Sequence, residues 1–148
     1  MLNFEAELLQ SDINGLYTWC LNNNFTLNIK KCQEMTFTRA RAVIKFDYYV
    51  NEEMLQRTMG PVKDLGILFD PNLKFDCHIN NIVIRSNKIL GFIIRNCTDF
   101  SDKHALRSLY CSLIRCICEY GSIIWFLYEI SYKLKLENIQ QKCLRFLS

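Results

Sequence analysis

VKDLGILFDPNLKFDCHI, residues 62–79, is the stretch on which the reading of this chain turns. Its first half alternates as a strand does. Lys63, Leu65, Ile67 and Phe69 fall on one side, and Val62, Asp64, Gly66 and Leu68 on the other. Asp64 and Gly66 are residues that strand interiors disfavour, and a strand glycine often marks a bulge or a close backbone approach. Pro71-Asn72 then reads as a turn. From about Phe75 the apolar spacing becomes helical and stays so to the end.

Upstream, FEAELLQSDINGLYTWCLNN (4–23) reads as a helix, with Leu9, Ile13, Leu16 and Cys20 at helical spacing and Trp19 beside them. Asn22-Asn23-Asn24 stops it, because asparagine accepts left-handed backbone. Residues 25–29, 34–39 and 43–50 alternate or are rich in β-branched and aromatic side chains, which predicts strands. A turn at Asn51-Glu52-Glu53 with a return through Met54 and Leu55 closes a hairpin. Downstream, residues 78–97 predict a helix with Ile79, Ile82, Ile89, Phe92 and Ile93 near one face. Ser101 caps a second helix over 102–117, Tyr120-Gly121-Ser122 breaks it, and 132–147 form the last, with Leu136, Ile139, Cys143 and Phe146 on one stripe. The expected fold is α+β: an N-terminal helix, a small antiparallel sheet, then a C-terminal helical bundle. The expected division is residues 1–72 and 73–148.

Composition excludes several classes. With 148 residues, half of them hydrophobic, the chain can bury a core and is not disordered. A net charge of +3 permits contact with nucleic acid without arguing for it. The eight cysteines lack the C-x-x-C pairs of zinc sites, so most of them read as small buried hydrophobes. The start MLNFEAELLQSD has no signal-peptide core, and an intracellular location, in nucleus or cytoplasm, is expected. Residues 108–128 are apolar enough to suggest a membrane span. Arg115 and Glu119, four apart, argue instead for the polar edge of a soluble helix, and no membrane partner is expected. His78 and His104 stand apart and read as surface or capping residues. There is no glycine-rich phosphate loop and no adjacent Asp-Asp pair, so neither a catalytic set nor a metal set is assigned. Trp19, Tyr120 and Trp125 read as core aromatics.

Five blocks carry a resemblance: LQSDINGLYTWCLNNNFTLNIKKCQEMTFTR (9–39), VKDLGILFDPNLKFDCHINNI (62–82), LGFIIRN (90–96), LYCSLIRCICEYGSIIW (109–125) and LENIQQKCLRF (136–146). In this order and spacing the chain resembles the downstream part of non-LTR (LINE-type) retrotransposon reverse transcriptases. The resemblance implies a distal palm in residues 1–72, a primer-grip hairpin at VKDLGILFD, and a thumb in residues 73–148. It implies a parent activity of RNA-directed DNA synthesis using Mg2+, with the aspartate pair lying upstream. The segment itself would be inactive and hold no cofactor. Partners would be RNA or an RNA–DNA primer-template, and the upstream palm.

Residue by residue, Lys31 matches the family's lysine beside the incoming nucleotide, and Gly66 would let backbone approach the nucleic acid. Arg85, Lys88 and Arg95 would track the duplex backbone, where contacts are electrostatic and indifferent to sequence. Solvated helix charges, a turn lysine and an edge-strand bulge account for the same residues without a ligand. The family often has proline where Cys116 stands, and another near Phe126-Leu127. A retained nucleic-acid-binding module and a decayed element are the alternatives to a polymerase segment.

Overall fold

The computed structural model describes residues 2–40, 45–99, 102–126 and 130–147. The fold is α+β, and contacts divide it into two units, Met1–Val62 and Lys63–Ser148.

In the first unit, helix α1 spans Leu2–Asn22. Its end is a Schellman motif. Asn24 takes a left-handed φ of 59°. Its amide donates to Leu21 O at 3.1 Å, and the Phe25 amide to Cys20 O at 2.9 Å. The Phe25 ring stacks on Trp19, centroids 5.9 Å apart. A 3-10 turn follows at Ile29–Lys31. The strands are short: β1 (Gln33–Glu34), β2 (Tyr49–Val50), β3 (Glu53–Met54) and β4 (Gln56–Arg57). β2 and β3 form the expected antiparallel hairpin through Asn51-Glu52, both at positive φ, as a two-residue turn requires. β1 and β4 pair in parallel, with Glu34 opposite Arg57 and ion-paired to it. Gln10 of α1 takes the place of a further strand: its amide donates to Tyr49 O at 2.8 Å and accepts from Tyr49 N at 2.9 Å.

The strands expected over 25–29 and 34–39 are not formed, apart from Glu34, and of 43–50 only Tyr49-Val50 is strand; residues 43 and 44 lie outside the described residues. Strand propensity expresses itself only against a partner, and the ladders here are two residues long. Trp19, expected in the core, is 55% exposed.

The second unit opens with the deciding stretch. It is not one strand but a hairpin, β5 (Val62–Asp64) and β6 (Ile67–Phe69), turning at Leu65-Gly66 with φ of 44° and 89°. A two-residue connection makes the pair antiparallel. The expected alternation fails accordingly, with Leu65 exposed at the tip and Ile67 buried. Of the two residues that strands disfavour, Gly66 reverses the chain, while Asp64 ends β5.

Asp70 builds the next turn. Its Oδ1 accepts from Asn72 N at 3.0 Å and Lys74 N at 3.2 Å, and its Oδ2 from Phe75 N at 2.7 Å. Helix α2 then runs Asp76–Asn96. Ser101 lies outside the described residues. Asp102 caps α3 (Lys103–Leu109), accepting from the amides of His104 and Ala105. The helix widens into a π segment at Tyr110–Arg115 and tightens again as α4 (Cys116–Glu119). Gly121, at φ 63°, breaks it as expected, and a Cβ there would come within 2.6 Å of Ile67 Cδ1. α5 (Ser122–Trp125) and α6 (Ile130–Leu147) complete the unit.

Its core has two clusters. One gathers Leu90, Ile93, Leu106, Ile114, Ile139 and Cys143; the other Ile67, Phe75, Ile79, Ile82 and Trp125. Val83, Cys118 and Leu136 touch both. Trp125 is thus a core aromatic as expected, but Tyr120 is exposed, and so is Phe92, which was expected on the apolar face of α2.

Candidate nucleic-acid interface

Charge is divided unevenly along the chain. Residues 63–148 contain twelve lysines and arginines against eight acidic residues, a net +4, whereas residues 1–62 have six against seven, a net −1. Within the second unit, α2 and α6 carry most of the excess. They include Arg85, Lys88, Arg95, Lys133, Lys135, Lys142 and Arg145, against Asp76 and Glu137.

The two helices run parallel, because their cross-links keep one register. Lys135 Nζ donates to Asn80 Oδ1 at 3.0 Å, and Lys142 Nζ to Asn87 Oδ1 at 3.1 Å. Tyr132 donates to Asp76 one turn earlier. Beneath these links two matched rows alternate steps of four and three: Ile79, Val83, Ser86, Leu90 and Ile93 on α2; Tyr132, Leu136, Ile139, Cys143 and Phe146 on α6. The buried Ser86 hydroxyl shares a hydrogen bond with Cys118 Sγ at 3.3 Å. The lysine–asparagine links therefore stand roughly 10 Å apart along one edge of the pair. Both carboxylates are engaged, Asp76 by Tyr132 and Glu137 by Lys133 at 3.8 Å.

Arg85, Lys88 and Arg95 are all exposed. Lys88 and Arg95 share the face of α2 turned away from the core, and Arg85 is rotated roughly 60° from Lys88. Arg95 folds back over Gly91, whose absent Cβ leaves its guanidinium room; a Cβ would lie 3.3 Å from Nη1. Gly66 is at the hairpin tip, where Tyr120 Cε1 would lie 3.4 Å from an added Cβ and the Tyr120 hydroxyl donates to Leu65 O at 2.8 Å. The hairpin reaches the first turn of α2, where His78 Nδ1 accepts from Leu68 N. Arg85 begins two turns further on. Lys31 is exposed and belongs to the first unit. The structure thus gathers Arg85, Lys88 and Arg95 on one helix, with Gly66 at a separate turn.

Lys135 and Lys142 were missed at the sequence level. Their signal was a seven-residue spacing matched by Asn80 and Asn87, legible only once α2 and α6 are known to be parallel. His78, expected at the surface, is 3% exposed and packs edge-on to Trp125 at 5.6 Å between centroids. Burial lowers its pKa below the usual histidine value. Asp70 is pushed up by burial but pulled below the carboxylate range by the amides of Phe75, Lys74 and Asn72.

Among the described residues no three His, Cys, Asp or Glu side chains come together as a metal site. No helix among the described residues is long and apolar enough to cross a membrane, and Arg115 Nε meets Glu119 Oε1 at 2.6 Å as the spacing predicted. No protein-family model, curated protein or solved structure matches the chain.

Proposed function

We propose that this chain is the distal palm and thumb part of a LINE-type reverse transcriptase, without polymerase activity of its own, whose second unit holds an RNA or RNA–DNA backbone on α2 and α6. The observation that carries this reading is the basic exposed surface of that helix pair. Lys135 and Lys142 line the edge between the helices, Arg85, Lys88 and Arg95 stand on the outward side of α2, and the two carboxylates on these helices are already paired. Such an array binds phosphates without reading bases. The five sequence blocks in family order support the assignment to the polymerase, and the absence of an Asp-Asp pair from the sequence supports the lack of catalysis.

Fluorescence anisotropy with an RNA–DNA hybrid tests the binding. Affinity is expected to fall steeply with salt, and replacing Arg85, Lys88 and Arg95 by alanine is expected to reduce the log–log salt slope by about one per lost phosphate contact. Two unrelated hybrid sequences should respond alike. Absence of salt-sensitive binding at micromolar protein would refute it. Extension of a primed RNA template by the purified chain with magnesium would refute the inactive assignment.

One observation favours the decayed-element reading. Phe4, Leu8, Leu16 and Trp19 of α1 are all exposed, more apolar surface than a helix of a finished domain leaves open. Poor solubility of the chain combined with absent binding would favour that account.

A further inference from the structure

The outward face of α2 holds an aromatic side chain that the core does not use. Phe92 is 59% exposed and belongs to neither apolar cluster of the second unit. A single exposed phenylalanine is ordinary. The setting of this one is not. Arg85, Phe92, Lys88 and Arg95 fall within roughly 80° of the helix circumference. Lys88 lies one turn before Phe92 and Arg95 one turn after it, so a cation brackets the ring on each side along the axis. Among the described residues Arg85, Lys88 and Arg95 form no ion pair. The acidic residue of α2 is Asp76, roughly 24 Å from Phe92 along the axis and engaged by Tyr132.

Cations alone suit any polyanion, a duplex included, because phosphates sit on its outside. An exposed ring among them asks for more. The bases of a duplex are stacked on one another and closed to a side chain, whereas an unpaired base offers its π-face to an aromatic ring.

We propose that the outward face of α2 takes an unpaired stretch of nucleic acid, with a base stacked on Phe92 and the flanking phosphates held by Lys88 and Arg95. This rests on the nucleic-acid reading above and names the form of the ligand. Arg85, roughly 10 Å from Phe92 along the axis, meets a further phosphate. Stacking tolerates every base, so the face still does not read sequence.

The test is fluorescence anisotropy of the whole chain with a single-stranded RNA and with a blunt RNA–DNA hybrid containing the same strand. F92A is expected to weaken single-strand binding about 5- to 100-fold and to leave hybrid binding unchanged. The salt slope should stay the same, since no cation is lost. F92W should keep the single-strand affinity, and F92L, apolar but without a π-face, should not. An abasic strand with the same number of phosphates should bind the unaltered protein about 5- to 100-fold more weakly than the RNA, which needs no variant to fold. Single-strand affinity unmoved in F92A, equal losses on strand and hybrid, or full affinity for the abasic strand would each overturn the stacking while leaving the phosphate contacts in place. Absence of salt-sensitive binding to strand and hybrid alike would instead refute the proposed function, and this inference with it.

Discussion

His78 accepts a backbone hydrogen bond from Leu68 through Nδ1, while its Nε2 has no partner among the described residues. Protonation would turn that acceptor into a donor facing another donor, in a ring packed against Trp125. The neutral ring is the form that folds, so its folded pKa lies below the ordinary value of 6.5. A depressed pKa gives stability that is full above the unfolded value and is lost as pH falls through the folded one. The second unit should therefore lose thermal stability as pH drops from about 6.5 towards 5. Asp70, also depressed, follows the same sign but in a lower window, below its ordinary 3.8. The two contributions thus separate on a pH axis. In His78→Gln the slope between about pH 7 and 5 should flatten, leaving the acid limb of Asp70. Thermal melts across that range decide it, and parallel profiles for the two proteins would show that His78 titration does not govern the slope. Its isolation in the sequence gave no warning of this burial, because the strand that covers it is close only in the fold.

At the scale of elements, helices were legible, and among the strands of the first unit the β2–β3 hairpin was. The end of α1 was written locally: three asparagines, one of which takes the left-handed position, followed by Phe25 returning to Trp19. Replacing Asn24 by glycine should leave α1 unchanged or slightly stabilised, whereas Asn24→Val should cost about 1–2 kcal/mol, since a β-branched residue resists positive φ. Circular dichroism melts of the two variants measure it, and equal melting temperatures would show that the motif contributes nothing. The other strands depended on information that no local window holds. Residues 25–29 and 35–39 have strand-like side chains but find no ladder among the described residues. Gly66 reads in the sequence as a bulge or close approach within a strand, whereas its φ of 89° turns the chain between two strands. The basic faces of α2 and α6 were partly legible. Arg85, Lys88 and Arg95 show their helical spacing in sequence. The asparagine partners of Lys135 and Lys142 sit 55 residues upstream, beyond any periodicity.

The molecule as a whole is unequal in its packing. Among the described residues, the buried apolar side chains of the first unit are Ala6, Cys20 and Val50. The second unit buries Ile67, Phe75, Ile79, Ile82, Leu90, Ile93, Leu106, Ile114, Trp125, Ile139 and Cys143, many of them large. Removing apolar surface from water is the main force that holds a fold, at roughly 25 cal/mol per Å2. Local opening costs least where few such contacts must break. The 50% hydrophobic content of the chain could not reveal this imbalance, because α1 is rich in apolar residues yet leaves Phe4, Leu8 and Trp19 in solvent. Periodicity shows that a face is apolar; it does not show that the face is covered. Native-state hydrogen exchange should therefore separate the units. Amides of α2 and α6 should be the slowest, exchanging only through global opening of the second unit. Those of α1 and of the β2–β3 hairpin should exchange several orders of magnitude faster, as expected of sub-global opening. Protection of α1 equal to that of α2 would mean that its open face is covered in solution, by a second copy or by another segment. A partner that slows α1 alone would then be acting on that face.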